Sequence, residues 1–179
     1  MGTMTEIPYE FTDSVRKNRI SKYKWVAIIG IPLGAILFQV YVPRFVTQLG
    51  YLELPLLVTV YFSLMRRTPA TGALFGAAVG LAQDSLSNHP LGMFGIVKTL
   101  VGYFAASVSQ RFDVERSTVR LVLAFFFFFF HEFFYWVLTE ALLGEAVNFE
   151  PQRKLVLAAL NAIVAVPLFR MLDKLRVTE

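Results

Sequence analysis

The sequence GALFGAAVGLAQDSLSNHPLGMFG, residues Gly72–Gly95, predicts two apolar helices joined by a short polar break. Gly72, Gly76 and Gly80 recur at every fourth position, so they share one helix face and allow a second backbone to come close. Asp84 follows four residues later on the same face. The glycine face has two interpretations: close packing within the protein's own bundle, which we favour, or an interface with another membrane protein.

The polar break, Ser85–His89, ends at Pro90-Leu91-Gly92, which opens the second apolar helix. A carboxylate at the membrane edge is costly unless it is paired or hydrated. Lys98 is predicted at a similar depth, so we expect a structural ion pair between Asp84 and Lys98. The alternative is a polar contact with a partner helix or a small ligand, and Glu53 can join the same cluster.

The composition predicts an integral membrane protein. Of the 179 residues, 56% are apolar and the mean hydropathy is +0.57, whereas soluble domains average roughly 45–50% apolar residues. The chain has no cysteine, which excludes disulfide scaffolds, thiol catalysis and cysteine-ligated metals. Its net charge of +4 comes from basic residues at the ends of apolar segments, which is an orientation signal and not a nucleic-acid-binding pattern.

Six apolar runs predict an all-α, polytopic membrane protein with a six-helix transmembrane bundle in residues 25–173. The runs are Trp25–Val42, Val46–Met65, Ala70–Leu86, Leu91–Val108, Leu121–Leu143 and Leu155–Leu172. Thirteen of the 17 lysine and arginine residues lie on the side of the chain ends. This bias predicts a cytoplasmic N-terminal segment, residues 1–24, a cytoplasmic tail, residues 174–179, and an outer location for the break after Asp84.

His131 and Glu132 lie in the middle of the fifth run, where ionisable groups are most costly. We expect both to face the bundle interior and to hydrogen-bond to other helices. A metal site or proton relay needs further ligands at helical spacing, which the sequence lacks. The run Phe125–Phe130 covers the whole helix circumference and is predicted to face lipid, with some rings as a docking surface. No catalytic or cofactor-binding motif is present, so the sequence favours binding or scaffolding over catalysis.

Several motifs resemble the rod shape-determining protein MreD family. They are Glu53-Leu54-Pro55 at the entry to the second run, Tyr61 with Arg66-Arg67 at its other end, and the segment Gly80–Gly92. Six residues of that segment match the family position by position: Gly80, Asp84, Ser85, Pro90, Leu91 and Gly92.

The resemblance implies a non-catalytic scaffold of the cell-elongation machinery in the bacterial inner membrane. It implies a role in rod shape and peptidoglycan synthesis, with MreC, the MreB filament, the RodA glycosyltransferase and the elongation-specific penicillin-binding protein as partners, in a lipid environment. The family is also similar in architecture to the substrate-binding subunits of energy-coupling-factor vitamin transporters. That similarity implies an alternative function, capture of a small ligand from the outer side, which the few polar residues predicted there make the weaker hypothesis.

Overall fold

The computed structural model describes residues 25–87, 90–144, 148 and 150–176, and these residues form a helical bundle. Its six α-helices are α1 (Trp25–Tyr41), α2 (Leu54–Arg66), α3 (Pro69–Leu86), α4 (Met93–Val108), α5 (Ser117–Leu138) and α6 (Pro151–Asp173). Two short 3₁₀ helices, Val42–Arg44 and Thr47–Tyr51, connect α1 to α2. A π-helical turn, Thr139–Leu143, extends α5.

Each predicted apolar run overlaps one of these helices. The largest difference is at the second run, where α2 begins at Leu54 and not near Val46, because Pro55 fixes the backbone for the first helical turn. The predicted cytoplasmic segment of residues 1–24 lies outside the described residues. So do Asn88 and His89 of the polar break and residues 177–179 of the tail.

Helix α2 is the centre of the bundle. All of its residues from Pro55 to Met65 are buried, and it contacts each of the other five helices. A helix that is apolar around its whole circumference belongs inside a bundle, where every face meets a neighbour. The remaining helices therefore have one face toward α2 or its neighbours and another toward the surroundings, as the exposed Val26, Phe126 and Val156 show.

Helices α3 and α4 form the most extensive helix–helix contact of the bundle. A Cβ atom built on Gly76 would collide with the backbone carbonyl of Lys98, and one on Gly80 would collide with that of Phe94. A Cβ atom on Gly72 would likewise collide with the backbone carbonyl oxygen of Gly102, and one on Gly102 would collide with that of Gly72. The structure therefore places the glycine face against the protein's own α4, in agreement with the favoured interpretation.

In the part of the chain that the structure describes, four stretches are long and apolar enough to cross a membrane: Val26–Arg44, Thr47–Arg66, Ser117–Leu143 and Pro151–Asp173. Helix α4 is apolar but has only 16 residues. Helix α3 is less apolar because it carries three glycines, Gln83 and Asp84. Six helices fit a membrane bundle, and six complete spans remain a prediction.

The beginning of α1 and the end of α6 meet at one end of the bundle, where Val26 and Lys174 line one groove. We call this the terminal end, and the opposite end, which carries Glu53, the Glu53 end. At the terminal end, Arg120 Nη1 lies 2.5 Å from Asp173 Oδ2, and Tyr61 Oη donates to Asp173 Oδ1 at 2.9 Å. This partly buried ion pair joins α2, α5 and α6.

Candidate functional site

Asp84 caps the start of helix α4. Its carboxylate is 1% exposed and accepts hydrogen bonds from the backbone N–H groups of Gly92 at 3.0 Å, Phe94 at 3.2 Å and Gly95 at 3.0 Å. The first N–H groups of a helix have no partner within the helix, and its N-terminus carries partial positive charge. Gly92 makes the turn with a φ of +95°, a conformation that favours glycine. Asp84 therefore fixes the α3–α4 hairpin.

The predicted Asp84–Lys98 ion pair is not formed. Lys98 is fully buried, and its Nζ lies 3.4 Å from His131 Nε2 and 4.3 Å from the centroid of the Phe94 ring. The prediction was wrong because the backbone N–H groups of α4 already hold both oxygens of Asp84. The Lys98 Nζ instead lies over the face of the Phe94 ring, in a cation–π arrangement.

His131 and Glu132 connect α5 to two other helices, as predicted. His131 is 1% exposed and contacts Lys98 of α4, while its Nδ1 lies 3.5 Å from Glu132 Oε1. Glu132 forms a salt bridge with Lys154, in the first turn of α6. These four side chains link α4, α5 and α6. Within the described residues, no three His, Cys, Asp or Glu side chains are grouped to hold a metal ion.

Asn161 fixes the segment that precedes α2. Its Oδ1 accepts from the Glu53 backbone N–H at 2.9 Å, and its Nδ2 donates to the carbonyl oxygens of Tyr51 at 2.9 Å and Leu157 at 3.0 Å. The side chain is fully buried. Asn161 was not predicted from the sequence, although a single amide in the apolar run Leu155–Leu172 is a signal of such a contact.

Two cavities flank Glu53. The larger, with a volume of about 390 Å³, is lined by charged residues that pair with one another, such as Lys154 with Glu132 and Arg153 with Glu150. The smaller, about 280 Å³, lies where α1, α2 and α3 end or begin, and we call it the α1–α3 cavity. Its lining includes Gln39, Arg44, Glu53, Gln83, Ser87 and Phe94.

Four side-chain oxygens on the wall of the α1–α3 cavity have no hydrogen-bond partner in the described structure. They are Gln39 Oε1, Glu53 Oε2, Gln83 Oε1 and Ser87 Oγ, and each of these atoms is buried. Buried polar atoms are nearly always hydrogen-bonded, because an unsatisfied one costs about 1–3 kcal/mol. Three acceptors and a hydroxyl around one cavity can therefore receive hydrogen bonds from a molecule that supplies N–H or O–H groups.

The structure separates the predicted site residues into five groups. Gly72, Gly76 and Gly80 pack α3 on α4, Asp84 and Gly92 form the helix cap, and Glu53 lines both cavities. Lys98 lies inside the bundle, whereas Pro90 and Leu91 form an exposed turn at the Glu53 end.

Two residues of the α1–α3 cavity, Gln39 and Gln83, were missed in the sequence analysis. Gln83 lies three residues beyond Gly80 on the inward face of α3. An amide on the small-residue face of an otherwise apolar helix is a signal that could have identified Gln83 as a candidate site residue.

Comparison with known proteins identifies the family. Searches among characterised proteins and among solved structures gave no match, so the predicted likeness to energy-coupling-factor subunits has no support from them. A family model described as rod shape-determining protein MreD matches residues 19–176, which include all six helices. This family consists of membrane proteins that determine cell shape, and it is not a known enzyme family. The chain belongs to the MreD family of rod shape-determining proteins.

Proposed function

We propose that this protein is a non-catalytic scaffold of the cell-elongation machinery and acts by binding an MreC-like protein. Membership of the MreD family supports a role in rod shape determination. The basic residues concentrated on the side of the chain ends support a location in the inner membrane with both termini in the cytoplasm. In that orientation the Glu53 end faces outward.

The α1–α3 cavity is the observation that carries the proposal. Its unpartnered oxygens on Gln39, Glu53 and Gln83 are acceptors, so they complement backbone N–H groups or the side chains of lysine and arginine. Val40, Leu86 and Phe94 add apolar surface to the same cavity. A membrane-proximal segment of a partner that presents N–H groups and a small apolar side chain fits this lining.

The same proposal extends to the other members of the machinery. We propose that the MreB filament, RodA and the elongation-specific penicillin-binding protein assemble with this chain in one complex with the MreC-like partner. The lipid-facing residues of α1, α5 and α6, among them Ile29, Phe126 and Ile163, provide apolar surface for membrane-embedded partners.

Replacing Gln83 with leucine is expected to reduce recovery of the MreC-like partner about five- to thirtyfold, which corresponds to a loss of about 1–2 kcal/mol of binding free energy. Gln83 is 3% exposed, and its Oε1 is one of the unpartnered acceptors. The measurement is quantitative co-purification of the tagged full-length protein from solubilised membranes, with the bound proteins identified by mass spectrometry.

The matched control is Gln152→Leu. Gln152 lies in the first turn of α6, is exposed, and is outside the lining of both cavities at the Glu53 end. Partner recovery with this variant is expected to equal that of the unmodified protein. Equal losses in the two variants would contradict the assignment of the α1–α3 cavity. A stoichiometric small molecule in place of a protein partner would contradict the scaffold function itself.

A further inference from the structure

A separate cavity of about 280 Å³ lies between α2 and α3 at the opposite end of α2 from Glu53. Its lining includes Phe62, Ser63, Arg66, Thr71, Leu74 and Phe75. We call it the α2–α3 cavity. It shares no lining residue with the α1–α3 cavity, so it is independent of the proposed partner site.

The mouth of the α2–α3 cavity is positively charged. Arg66 is the last residue of α2, and its guanidinium pairs with no carboxylate among the described residues. Helix α3 begins three residues later, at Pro69. An unpaired cation and the start of an 18-residue helix therefore lie next to each other in the chain.

The start of α3 has no side-chain cap. Thr68 occupies the cap position without accepting a hydrogen bond from the helix, and its Oγ1 donates to the carbonyl oxygen of Arg66 at 3.2 Å. Within the described residues, the first-turn N–H groups of α3 therefore have no side-chain cap, which is the arrangement that binds phosphate and other anions in many proteins.

Ser63 provides a second, independent indication of a ligand. Its side chain is fully buried on the wall of the α2–α3 cavity, one helical turn before Arg66, and its Oγ has no hydrogen-bond partner. A buried hydroxyl without a partner is uncommon. A ligand oxygen in the cavity can accept the hydrogen bond of this hydroxyl.

Apart from Thr71, the rest of the lining is apolar. The rings of Phe62 and Phe75 pack with their centroids 5.2 Å apart, and Leu74 is 71% exposed on the outside of α3. The cavity thus combines a basic mouth with an apolar wall that continues onto the membrane-facing surface of the helix. This arrangement suits a molecule with an anionic head and a hydrocarbon tail, whereas an acidic peptide would leave the apolar wall uncovered.

We infer that the α2–α3 cavity binds an anionic phospholipid. The phosphate lies between Arg66 and the start of α3, within reach of Ser63, and an acyl chain follows Phe75 and Leu74. By bridging α2 to α3, the lipid holds the turn at residues 67–68, where Arg67 has the left-handed φ of 56°. Phosphatidylglycerol is expected to bind more tightly than zwitterionic phosphatidylcholine, because the mouth of the cavity carries a net positive charge.

The test is native mass spectrometry of the full-length protein, delipidated in detergent and titrated with phosphatidylglycerol. Arg66→Gln is expected to weaken phosphatidylglycerol binding about fivefold, whereas Arg66→Lys keeps the charge and most of the binding. The matched control, Arg111→Gln, removes an exposed cation from the link between α4 and α5 and is expected to bind as the unmodified protein does. Ser63→Ala, which removes only the hydroxyl, is expected to give a smaller loss.

Three results would overturn the inference. The first is equal binding of phosphatidylglycerol by Arg66→Gln and Arg111→Gln. The second is equal affinity of the unmodified protein for phosphatidylglycerol and phosphatidylcholine. The third is displacement of the lipid by millimolar inorganic phosphate, which would identify a free-anion site. If Arg66→Gln is not monodisperse by size exclusion, the Ser63→Ala variant decides, and unchanged binding in that variant would also overturn the inference.

Discussion

Replacing Gly76 with alanine is expected to destabilise the folded protein by about 3 kcal/mol. A Cβ atom at this position would overlap the carbonyl oxygen of Lys98. Overpacked cores typically lose about 1–3 kcal/mol, and the loss here is at the upper end because the obstacle is backbone that cannot rotate away. Helices α3 and α4 must then separate along their shared face. Thermal unfolding of the full-length protein in detergent measures the effect.

The matched control for this prediction is Gly34→Ala in α1. A Cβ atom built on Gly34 meets no atom within 4 Å, and alanine is favoured over glycine in a helix interior by about 1 kcal/mol. Gly34→Ala is therefore expected to leave the melting temperature unchanged or raise it slightly. If Gly76→Ala and Gly34→Ala melted at the same temperature, the close contact between α3 and α4 would be wrong.

Replacing Asp84 with alanine is expected to cost about 3 kcal/mol of stability while leaving membrane insertion intact. The substitution removes three hydrogen bonds to the start of α4, each worth about 1 kcal/mol, and leaves buried N–H groups without acceptors. Asp84→Asn retains one acceptor oxygen, so we expect an intermediate loss. The loosened α3–α4 hairpin is also expected to weaken rod-shape function in a strain that depends on this protein.

Asp113→Ala serves as the control for the Asp84 variants. Asp113 lies in the link between α4 and α5, its side chain is 57% exposed, and it pairs with Arg116 at 3.1 Å. Exposed pairs of this kind contribute at most about 1 kcal/mol, so the melting temperature should change little. A strain with normal cell shape and an unchanged melting temperature for Asp84→Ala would show that the cap contributes nothing to stability or function.

The periodic features of the chain could be predicted from the sequence. The spacing of Gly72, Gly76 and Gly80 predicts a close helix–helix contact, because the period of the helix places the three glycines on one face. The six helices follow in the same way from the lengths of the apolar runs. The helices and the glycine face depend only on residues that are close together in the chain, so a single sequence is sufficient to predict them.

Contacts between distant segments were harder to predict. Arg120 and Asp173 are separated by 53 residues and form a partly buried pair, although each lies just outside a predicted apolar run. The pairing of Glu132 with Lys154 was missed for the same reason. A sequence gives the depth of a charged residue in the bundle, but the choice of partner depends on which helices are neighbours.

Asp84 shows a different limit. Its side chain was expected to pair with another side chain, Lys98, whereas its partners are backbone N–H groups of Gly92, Phe94 and Gly95. The uncapped start of the following helix was visible in the sequence as a possible set of hydrogen-bond donors to a carboxylate. Backbone groups carry no residue-specific signal, so their contacts cannot be found by comparing charged side chains alone.

The position of α2 has a consequence for how the protein is assembled during synthesis. Helix α2 is the second helix to be synthesised. Helices α5 and α6, which cover the remaining part of its surface, are synthesised last. Until residue 173 has been translated, part of the α2 surface has no protein neighbour and is covered by lipid or by the insertion machinery. Bundle closure is therefore a late event, and a chain truncated after α4 is expected to be degraded because α2 remains uncovered.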